Sequence, residues 1–256
     1  MILLSLSFFI TAILYAAVGF GGGSTYNALL VLAGTDYRIL PSIALICNLI
    51  VVSGGTYRFT RSGYIDLRRI APWIITSVPA AWLGGYLHIS ETLFVGLLGI
   101  SLLASGLRML LVKQAETIEY VGGAKTDKFK ALPFIVGAVL GLLAGVVGIG
   151  GGIFLAPVLY LMRWDNARKI AATCSVFIFV NSLAGLIGQA MKLSDLEILG
   201  NIWGYWMVFP AVLVGGQIGS YMGSKRLDPN ALRFLTALLI LYVAARLLIR
   251  LWGLVT

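Results

Sequence analysis

Long uncharged stretches dominate the pattern of polar and apolar positions along this chain. Six segments contain no Asp, Glu, Lys or Arg: 1–35, 39–57, 70–87, 131–162, 170–191 and 198–224. An apolar run of about 18 residues or more is long enough to cross a bilayer as a helix. Two further apolar blocks, 92–107 and 231–253, are shorter or contain arginine. The pattern predicts an all-α integral membrane protein with eight hydrophobic blocks.

These blocks fall into two related halves. The run from Val18 to Gly23 recurs from Val147 to Gly152, 129 positions further along the chain. Pro79–Gly85 is echoed in the same way by Pro210–Gly216. Such an internal repeat indicates a duplicated structural unit. We divide the chain into a first membrane repeat at 1–112, a polar cytoplasmic linker at 113–128 and a second membrane repeat at 129–256.

The positions of Lys and Arg predict the orientation of the blocks, because these residues are retained in cytoplasmic loops. The loop at 58–69 holds four arginines and is therefore placed inside. If the next two blocks each cross the membrane once, the basic linker also lies in the cytoplasm. The Lys and Arg residues of the loop at 163–169 predict that this loop is cytoplasmic as well. Block 131–162 thus begins and ends in the cytoplasm. A block with both ends on one side must be a helical hairpin.

The turn of each hairpin is predicted at a glycine cluster, because glycine adopts backbone angles that end a helix. The clusters are Gly148–Gly152 in the second half and Gly19–Gly23 in the first. Each half then has five helical legs. An odd number of legs turns the second half upside down relative to the first, which gives two inverted-topology repeats.

A helix broken at bilayer depth needs protein, water or a ligand to satisfy its backbone groups. New helices are predicted to begin at Ser24 and Thr25, and near Ile153. Helix N-termini attract anions, and two of them meeting near the midplane are typical of a secondary transporter. The candidate substrate-binding residues in the two clusters are Gly21, Gly22, Gly23, Ser24, Thr25, Gly150, Gly151, Gly152 and Ile153.

Three polar side chains outside the clusters are further candidates. Asn48 and Asn181 lie in the helix that follows each hairpin, and both are candidate substrate-binding donors. Interhelical hydrogen bonding is an equally good interpretation of both. Arg58 is a candidate for attracting anions to the cytoplasmic entrance, and a snorkelling interfacial arginine is the alternative.

Several functional classes are disfavoured because the apolar blocks lack the charged and catalytic residues that those functions need. All ten acidic residues fall in predicted loops or at block ends, although cation sites and proton relays usually use a buried carboxylate. One histidine and two separated cysteines supply no evident catalytic or metal-binding set, so we expect no enzyme, cofactor or metal. The net charge of +9 resides in short loops, so we expect no nucleic-acid partner.

The doubled GxGGG motif, the Asn in each following helix and the Pro-x-x-x-x-Gly-Gly echo resemble the TauE/SafE family of membrane proteins. The resemblance covers nearly the whole chain. It implies a multi-pass protein of the prokaryotic cytoplasmic membrane that transports small sulfur-containing anions. Sulfite export is the commonest assignment in the family, and organosulfonates such as sulfoacetate have also been proposed. The residues themselves indicate only a small anionic substrate.

Alternatives to a secondary transporter remain at this point. A passive anion channel shares almost every feature of the pattern, whereas an intramembrane enzyme is less well supported. The two motifs also differ, since Phe20 and Ser24 in the first correspond to Ile149 and Ile153 in the second. The two half-sites therefore need not bind alike. The lipid bilayer is the expected partner, and a homo-oligomer is left open.

Overall fold

A computed structural model describes residues 1–17, 19–111, 131–162, 164–192, 202–222 and 229–255. The linker expected at 113–128 lies outside these residues. All regular secondary structure within the described ranges is helical. Its ten helices are α1 (Ile2–Ala17), α2 (Gly23–Leu32), α3 (Leu40–Arg61), α4 (Leu67–Tyr86), α5 (Glu91–Leu111), α6 (Leu132–Val147), α7 (Gly152–Leu161), α8 (Ala167–Lys192), α9 (Val208–Met222) and α10 (Pro229–Val255).

Both glycine clusters interrupt the helices in which they lie. The first cluster separates α1 from α2, and the second separates α6 from α7. Gly19 and Gly22 have φ angles of 81° and 84°, and the corresponding Gly148 and Gly151 both have 76°. Residues with a side chain rarely adopt these left-handed angles. The chain therefore leaves and re-enters the helical conformation through matched glycines.

The second leg of each broken pair is short. Helices α2 and α7 each contain 10 residues. At 1.5 Å per residue each is about 15 Å long, which is half the thickness of the hydrocarbon core of a bilayer. Each leg is therefore long enough to cover about half of that thickness.

The outer surface of the helices is apolar. By length and composition, α3 and α8 are long and apolar enough to cross a membrane. Ile2, Leu111 and Ile249 are more than 70% exposed. Extensive exposed apolar surface is typical of contact with lipid or with another protein.

Glycines bring the helix backbones into direct contact. A Cβ atom added at Gly141 or Gly145 of α6 would clash with the carbonyl oxygens of Ser77 and Ala81 on α4. A Cβ atom at Gly219 of α9 would clash with the backbone of α1 in the same way. Small residues at four-residue spacing allow such close packing within membranes. Gly223, four residues after Gly219, lies outside the described residues.

Helix pairing follows a regular pattern across the two halves. The first leg of each half packs on the fourth helix of the other half, so that α1 contacts α9 and α6 contacts α4. The third legs, α3 and α8, pack against each other, and so do the fifth legs, α5 and α10. A two-fold axis between the halves would produce this pattern.

The turn that precedes the third helix of each half lies at a different end of α3. Asp165, in the turn before α8, accepts a hydrogen bond of 2.7 Å from Arg69 at the start of α4. The Arg69 guanidinium also lies 4.3 Å from the centre of the Trp164 ring. The turn before α8 is therefore close to the one after α3. The equivalent turn of the first half, at 33–39, precedes α3, whose 22 residues separate the two turns by about 33 Å.

The charge of Asp165 is stabilised by this contact. Partial burial raises the pKa of the Asp165 carboxyl, but hydrogen bonds from the Asn166 backbone, Arg69 and Lys169 outweigh that effect. Its pKa consequently lies below the usual value. The side chain is ionised at neutral pH and holds the first turn of α4 to the start of α8.

Candidate anion-binding site

The two glycine clusters meet around the side chain of Asn48, which lies on α3 and is fully buried. A Cβ atom at Gly21 would lie 2.5 Å from Asn48 Oδ1, and one at Gly23 would lie 2.5 Å from Asn48 Nδ2. A Cβ atom at Gly150, in the other cluster, would lie 3.0 Å from the same nitrogen. The absence of side chains at these three positions lets both breaks close around one amide.

The amide of Asn48 is unsatisfied. Neither Oδ1 nor Nδ2 has a hydrogen-bond partner among the described residues. Buried polar groups are normally paired, and each unpaired one costs about 1–3 kcal/mol. A fully buried donor and acceptor at the meeting point of two helix breaks is therefore a candidate contact for a polar ligand.

A small cavity adjoins the start of α2. It is lined by Tyr15, Phe20, Gly21, Gly22, Gly23, Ser24, Ile149, Ile153 and Ile178. Asn48 does not line the cavity itself but lies against Gly21 and Gly23, which do. The cavity volume is about 10 Å³, on the scale of one water molecule. An anion with several heavy atoms requires the site to widen.

The polar wall of this cavity is the first turn of α2. Gly22 caps the helix with a left-handed backbone and without a side-chain hydrogen bond. The Thr25 N–H donates to the Gly22 carbonyl at 2.9 Å, whereas the N–H groups of Gly23 and Ser24 precede the first bond of the helix. Such N–H groups carry the positive end of the helix dipole. Ser24 lies at the cavity, whereas the Thr25 hydroxyl bonds to that of Tyr15 at 2.8 Å. This wall favours a negative charge.

The last two glycines of the second cluster, Gly151 and Gly152, face apolar side chains. A Cβ atom at Gly151 would lie 2.9 Å from the Phe177 ring, and one at Gly152 would clash with Ile178. Gly150 to Gly152 are absent from the cavity lining, although Ile153, the second residue of α7, is part of it. The second half therefore contributes apolar surface to the cavity.

The position that mirrors Asn48 holds Ile178. Gly152 faces Ile178 just as Gly23 faces Asn48, and the two side chains are 130 positions apart in the sequence. Asn181, which we paired with Asn48 by sequence, follows Ile178 by three residues on α8. It is fully buried with both amide atoms unpartnered among the described residues, but it does not line the cavity.

Two further buried polar residues near the breaks were missed by the sequence analysis. The Ser182 hydroxyl lies 3.1 Å from the Cβ position of Gly150 and has no partner among the described residues. Asn27 donates from Nδ2 to the carbonyl of Val147 at 2.8 Å, which ties α2 to the end of α6. Both could have been noticed in the sequence, because Asn27 lies two residues after Thr25 and Ser182 directly follows Asn181.

Arg58 lies away from the cavity. It is exposed in the last turn of α3 and donates a hydrogen bond to Ser220 on α9. This position is at the same end of α3 as the Arg69 and Asp165 pair. Arg58 therefore remains a candidate for the entrance and makes no contact with the cavity.

Carboxylates are confined to the ends of helices in the part of the chain that the structure describes. Its acidic residues lie in turns or at the first residue of a helix: Asp36, Asp66, Glu91 and Asp165. The hydrogen bond from Arg38 holds the pKa of Asp36 below its usual value. No group of three or more His, Cys, Asp or Glu side chains that could hold a metal ion occurs in this part.

Three known proteins that are similar to this chain are named as probable membrane transporter proteins. The chain is 35% identical over 245 residues to a probable membrane transporter protein of Sinorhizobium fredii, covering 96% of this chain and 97% of the relative. A probable membrane transporter protein of Haemophilus influenzae is 24% identical, over 71% of this chain and 69% of its own. One of Methanocaldococcus jannaschii is 29% identical, over 70% and 68%. No solved structure matches the chain.

The match to a family model extends over both glycine clusters and both halves. It covers residues 4–247 and carries the description sulfite exporter TauE/SafE. The extent of this match and the relatives' names identify the protein as a membrane protein of the transporter type. The chain belongs to the TauE/SafE sulfite exporter family.

Proposed function

We propose that this protein is a secondary transporter that exports a small sulfur-containing oxyanion, sulfite or an organosulfonate such as sulfoacetate, across the cytoplasmic membrane. The observation that carries the proposal is the convergence of both glycine clusters on the unpartnered amide of Asn48. The family name supports sulfite as the substrate to test first.

An anion is favoured over a cation by the groups around the cavity. The start of α2 lines the cavity, and the first N–H groups of a helix carry the positive end of its dipole. Asn48 Nδ2 can donate two hydrogen bonds, and it has no acceptor among the described residues. The described carboxylates lie at helix ends or in turns, away from the cavity.

We further propose that the two halves are inverted repeats of five helical legs each. The pairing of α1 with α9 and of α6 with α4 supports this arrangement. The placement of equivalent turns at opposite ends of α3 supports it independently. Inverted repeats would give the site two related surfaces that open alternately to either side of the membrane.

Cysteine labelling is expected to separate the two equivalent turns. Ala33→Cys should react with a membrane-impermeant thiol reagent from outside the cell, and Arg168→Cys only after the membrane is permeabilised. Both positions are exposed, while the native Cys47 and Cys174 are fully buried and contribute little background. Labelling of both variants from the same side would contradict the inverted arrangement.

The membrane potential is the proposed driving force. None of the carboxylates that the structure describes lies at the site, so coupling to protons or sodium has no evident side chain among these residues. Moving one charge through 100 mV is worth about 2.3 kcal/mol, and a tenfold ratio is worth about 1.4 kcal/mol. A monovalent anion could therefore be held about fifty times more concentrated outside than inside.

Efflux of labelled sulfite from proteoliposomes tests this proposal. The vesicles carry an imposed potassium-diffusion potential and have no pH or sodium gradient. We expect efflux to accelerate when the interior is negative and to slow when the potential is reversed, relative to protein-free vesicles. Efflux that ignores the sign of the potential but responds to a proton gradient would show that a coupling group has been overlooked.

A further inference from the structure

Two equivalent helix contacts differ in how closely their backbones approach. Helix α4 packs on α8, and its counterpart α9 packs on α3. Gly85 and Gly216 are equivalent in these contacts, because each ends one copy of the repeated Pro-x-x-x-x-Gly-Gly segment. A Cβ atom at Gly85 would clash with the Gly185 carbonyl oxygen on α8, whereas one at Gly216 would lie 3.5 Å from Val51 Cα on α3. The backbones touch at the first contact, and the second has room for a methyl group.

The next turn of each contact shows the same difference. Gly188 on α8 and Gly54 on α3 each lie three residues beyond the first contact. A Cβ atom at Gly188 would lie 2.8 Å from the backbone nitrogen of Tyr86 on α4. The three atoms nearest to the Cβ position of Gly54 all belong to the side chain of Gln217 on α9, at 3.3, 3.7 and 3.9 Å. Backbone therefore meets backbone in one contact and the end of a flexible side chain in the other.

The looser contact is also the more exposed one. Gly54 is partly exposed and Gln217 is exposed, whereas Gly188 and its neighbour Gln189 are buried. A narrow cleft therefore separates α3 from α9 near the C-terminal end of α3, and the equivalent contact between α8 and α4 is closed. In the orientation proposed above, the cleft faces the cytoplasm and the closed contact lies towards the outside.

The cleft leads along α3 towards the candidate site. At its mouth, the Arg58 side chain donates a hydrogen bond across it to the Ser220 hydroxyl on α9. At its inner end, Val51 is 4% exposed and lies between Gly54 and the fully buried Asn48 along the helix. The cleft thus begins at a cationic side chain and is separated from the unpartnered amide of Asn48 by a buried valine.

We propose that the cleft between α3 and α9 is the path by which the anion reaches Asn48 from the cytoplasm, and that the contact between α4 and α8 is the outer gate. This inference rests on the proposed function and names the path to the same site. In the outward-facing state the two contacts exchange, so that α9 closes on α3 and α4 leaves α8. Position 216 is glycine because the backbones approach there in that state, although the present conformation has room for a side chain.

Gly216→Ala tests this exchange with a change that the present conformation accommodates. The added methyl group would lie 3.5 Å from Val51, an ordinary contact, but would clash once α9 approaches α3 as α4 approaches α8. We expect normal thermal stability and a loss of sulfite efflux from proteoliposomes of about tenfold or more. Gly96→Ala is the matched control, because its methyl group would also lie 3.5 Å from its nearest neighbour, Leu251, outside both contacts. It should keep the wild-type rate and stability.

Labelling of Gln217→Cys reports the conformation without transport. In inside-out membrane vesicles without substrate, an impermeant thiol reagent should modify this cysteine, while the native Cys47 and Cys174 are fully buried. Gly85→Ala, whose methyl group would clash with the backbone of α8, should favour the outward-facing state and slow the modification about tenfold. Gly216→Ala should leave the modification as fast as in its absence.

The outcomes separate this inference from the proposed function. Saturable sulfite efflux that Gly216→Ala leaves undiminished, or that falls only together with thermal stability, would overturn the inference and leave the proposed function standing. The same holds if Gly85→Ala inserts but does not slow the labelling; if it fails to insert, Gly216→Ala decides alone. Absence of saturable sulfite efflux in the wild type would overturn the proposed function, while the labelling rates still show whether the two contacts exchange.

Discussion

Valine at Gly22 or at Gly151 is expected to abolish anion efflux while the protein still inserts into the membrane. Both glycines have left-handed φ angles, 84° and 76°, which cost a residue with a side chain about 1–2 kcal/mol. A Cβ atom at Gly22 would lie 3.2 Å from the Tyr15 ring, and one at Gly151 would lie 2.9 Å from the Phe177 ring. The breaks must therefore shift, and the clusters no longer close around Asn48.

The matched control for these variants is Gly63→Val. Gly63 also has a left-handed φ angle, 70°, but no atom lies within 4 Å of its Cβ position. It carries a similar backbone cost in the turn after α3, away from the breaks. We expect an efflux reduction of more than tenfold at Gly22 and Gly151, and near-normal rates for Gly63→Val, per amount of inserted protein. Normal rates in both break variants would mean that the clusters do not form the substrate site.

Leucine at position 48 is expected to weaken anion binding about ten- to hundredfold. Leucine approximates the shape of asparagine but cannot donate to a substrate oxygen, and a hydrogen bond to a charged group contributes about 1.5–3 kcal/mol. Because the Asn48 amide has no hydrogen-bond partner among the described residues, its removal breaks no hydrogen bond seen in the structure. The measurement is a binding titration of the purified protein, with thermal stability recorded in parallel.

Two other amides give comparisons for this variant. Asn181 is buried and unpartnered like Asn48 among the described residues, so Asn181→Leu should also weaken binding. The effect should be smaller, because Asn48 lies against Gly21 and Gly23 of the cavity lining and Asn181 is not among the atoms nearest to either glycine. Gln189 donates to the Gly145 carbonyl at 3.1 Å and holds α8 to α6. Gln189→Leu should therefore lower thermal stability and leave affinity unchanged. Unchanged affinity for Asn48→Leu would assign Asn48 a purely structural role.

The breaks could be predicted from the sequence because their cause is local. Glycine clusters at 19–23 and 148–152 recur within long uncharged blocks, and left-handed turns need glycine whatever surrounds them. Close helix packing at Gly141 and Gly145 could also be predicted from the sequence, because glycine has no side chain to hold a neighbouring helix away. The partners of these glycines required the structure.

The composition of the site could be predicted only in part, because it depends on the register between helices. Pairing Asn48 with Asn181 assumed that an amide repeats, whereas the structure places Ile178 at the mirrored position. One residue turns a helix by about 100°, so a shift of three residues moves a side chain to a different neighbour. The unpartnered state of Asn48 and the approach of Ser182 to Gly150 likewise arise from contacts between distant segments.

The initial rate of labelled-anion efflux, measured against internal concentration in proteoliposomes, shows whether an anion crosses the membrane by binding where the two helix breaks meet. We expect a rate that saturates in the wild type and falls more than tenfold in Asn48→Leu at concentrations below saturation. A rate that rises linearly without saturation, and is the same in Asn48→Leu, would contradict it and indicate a passive channel that does not use this site.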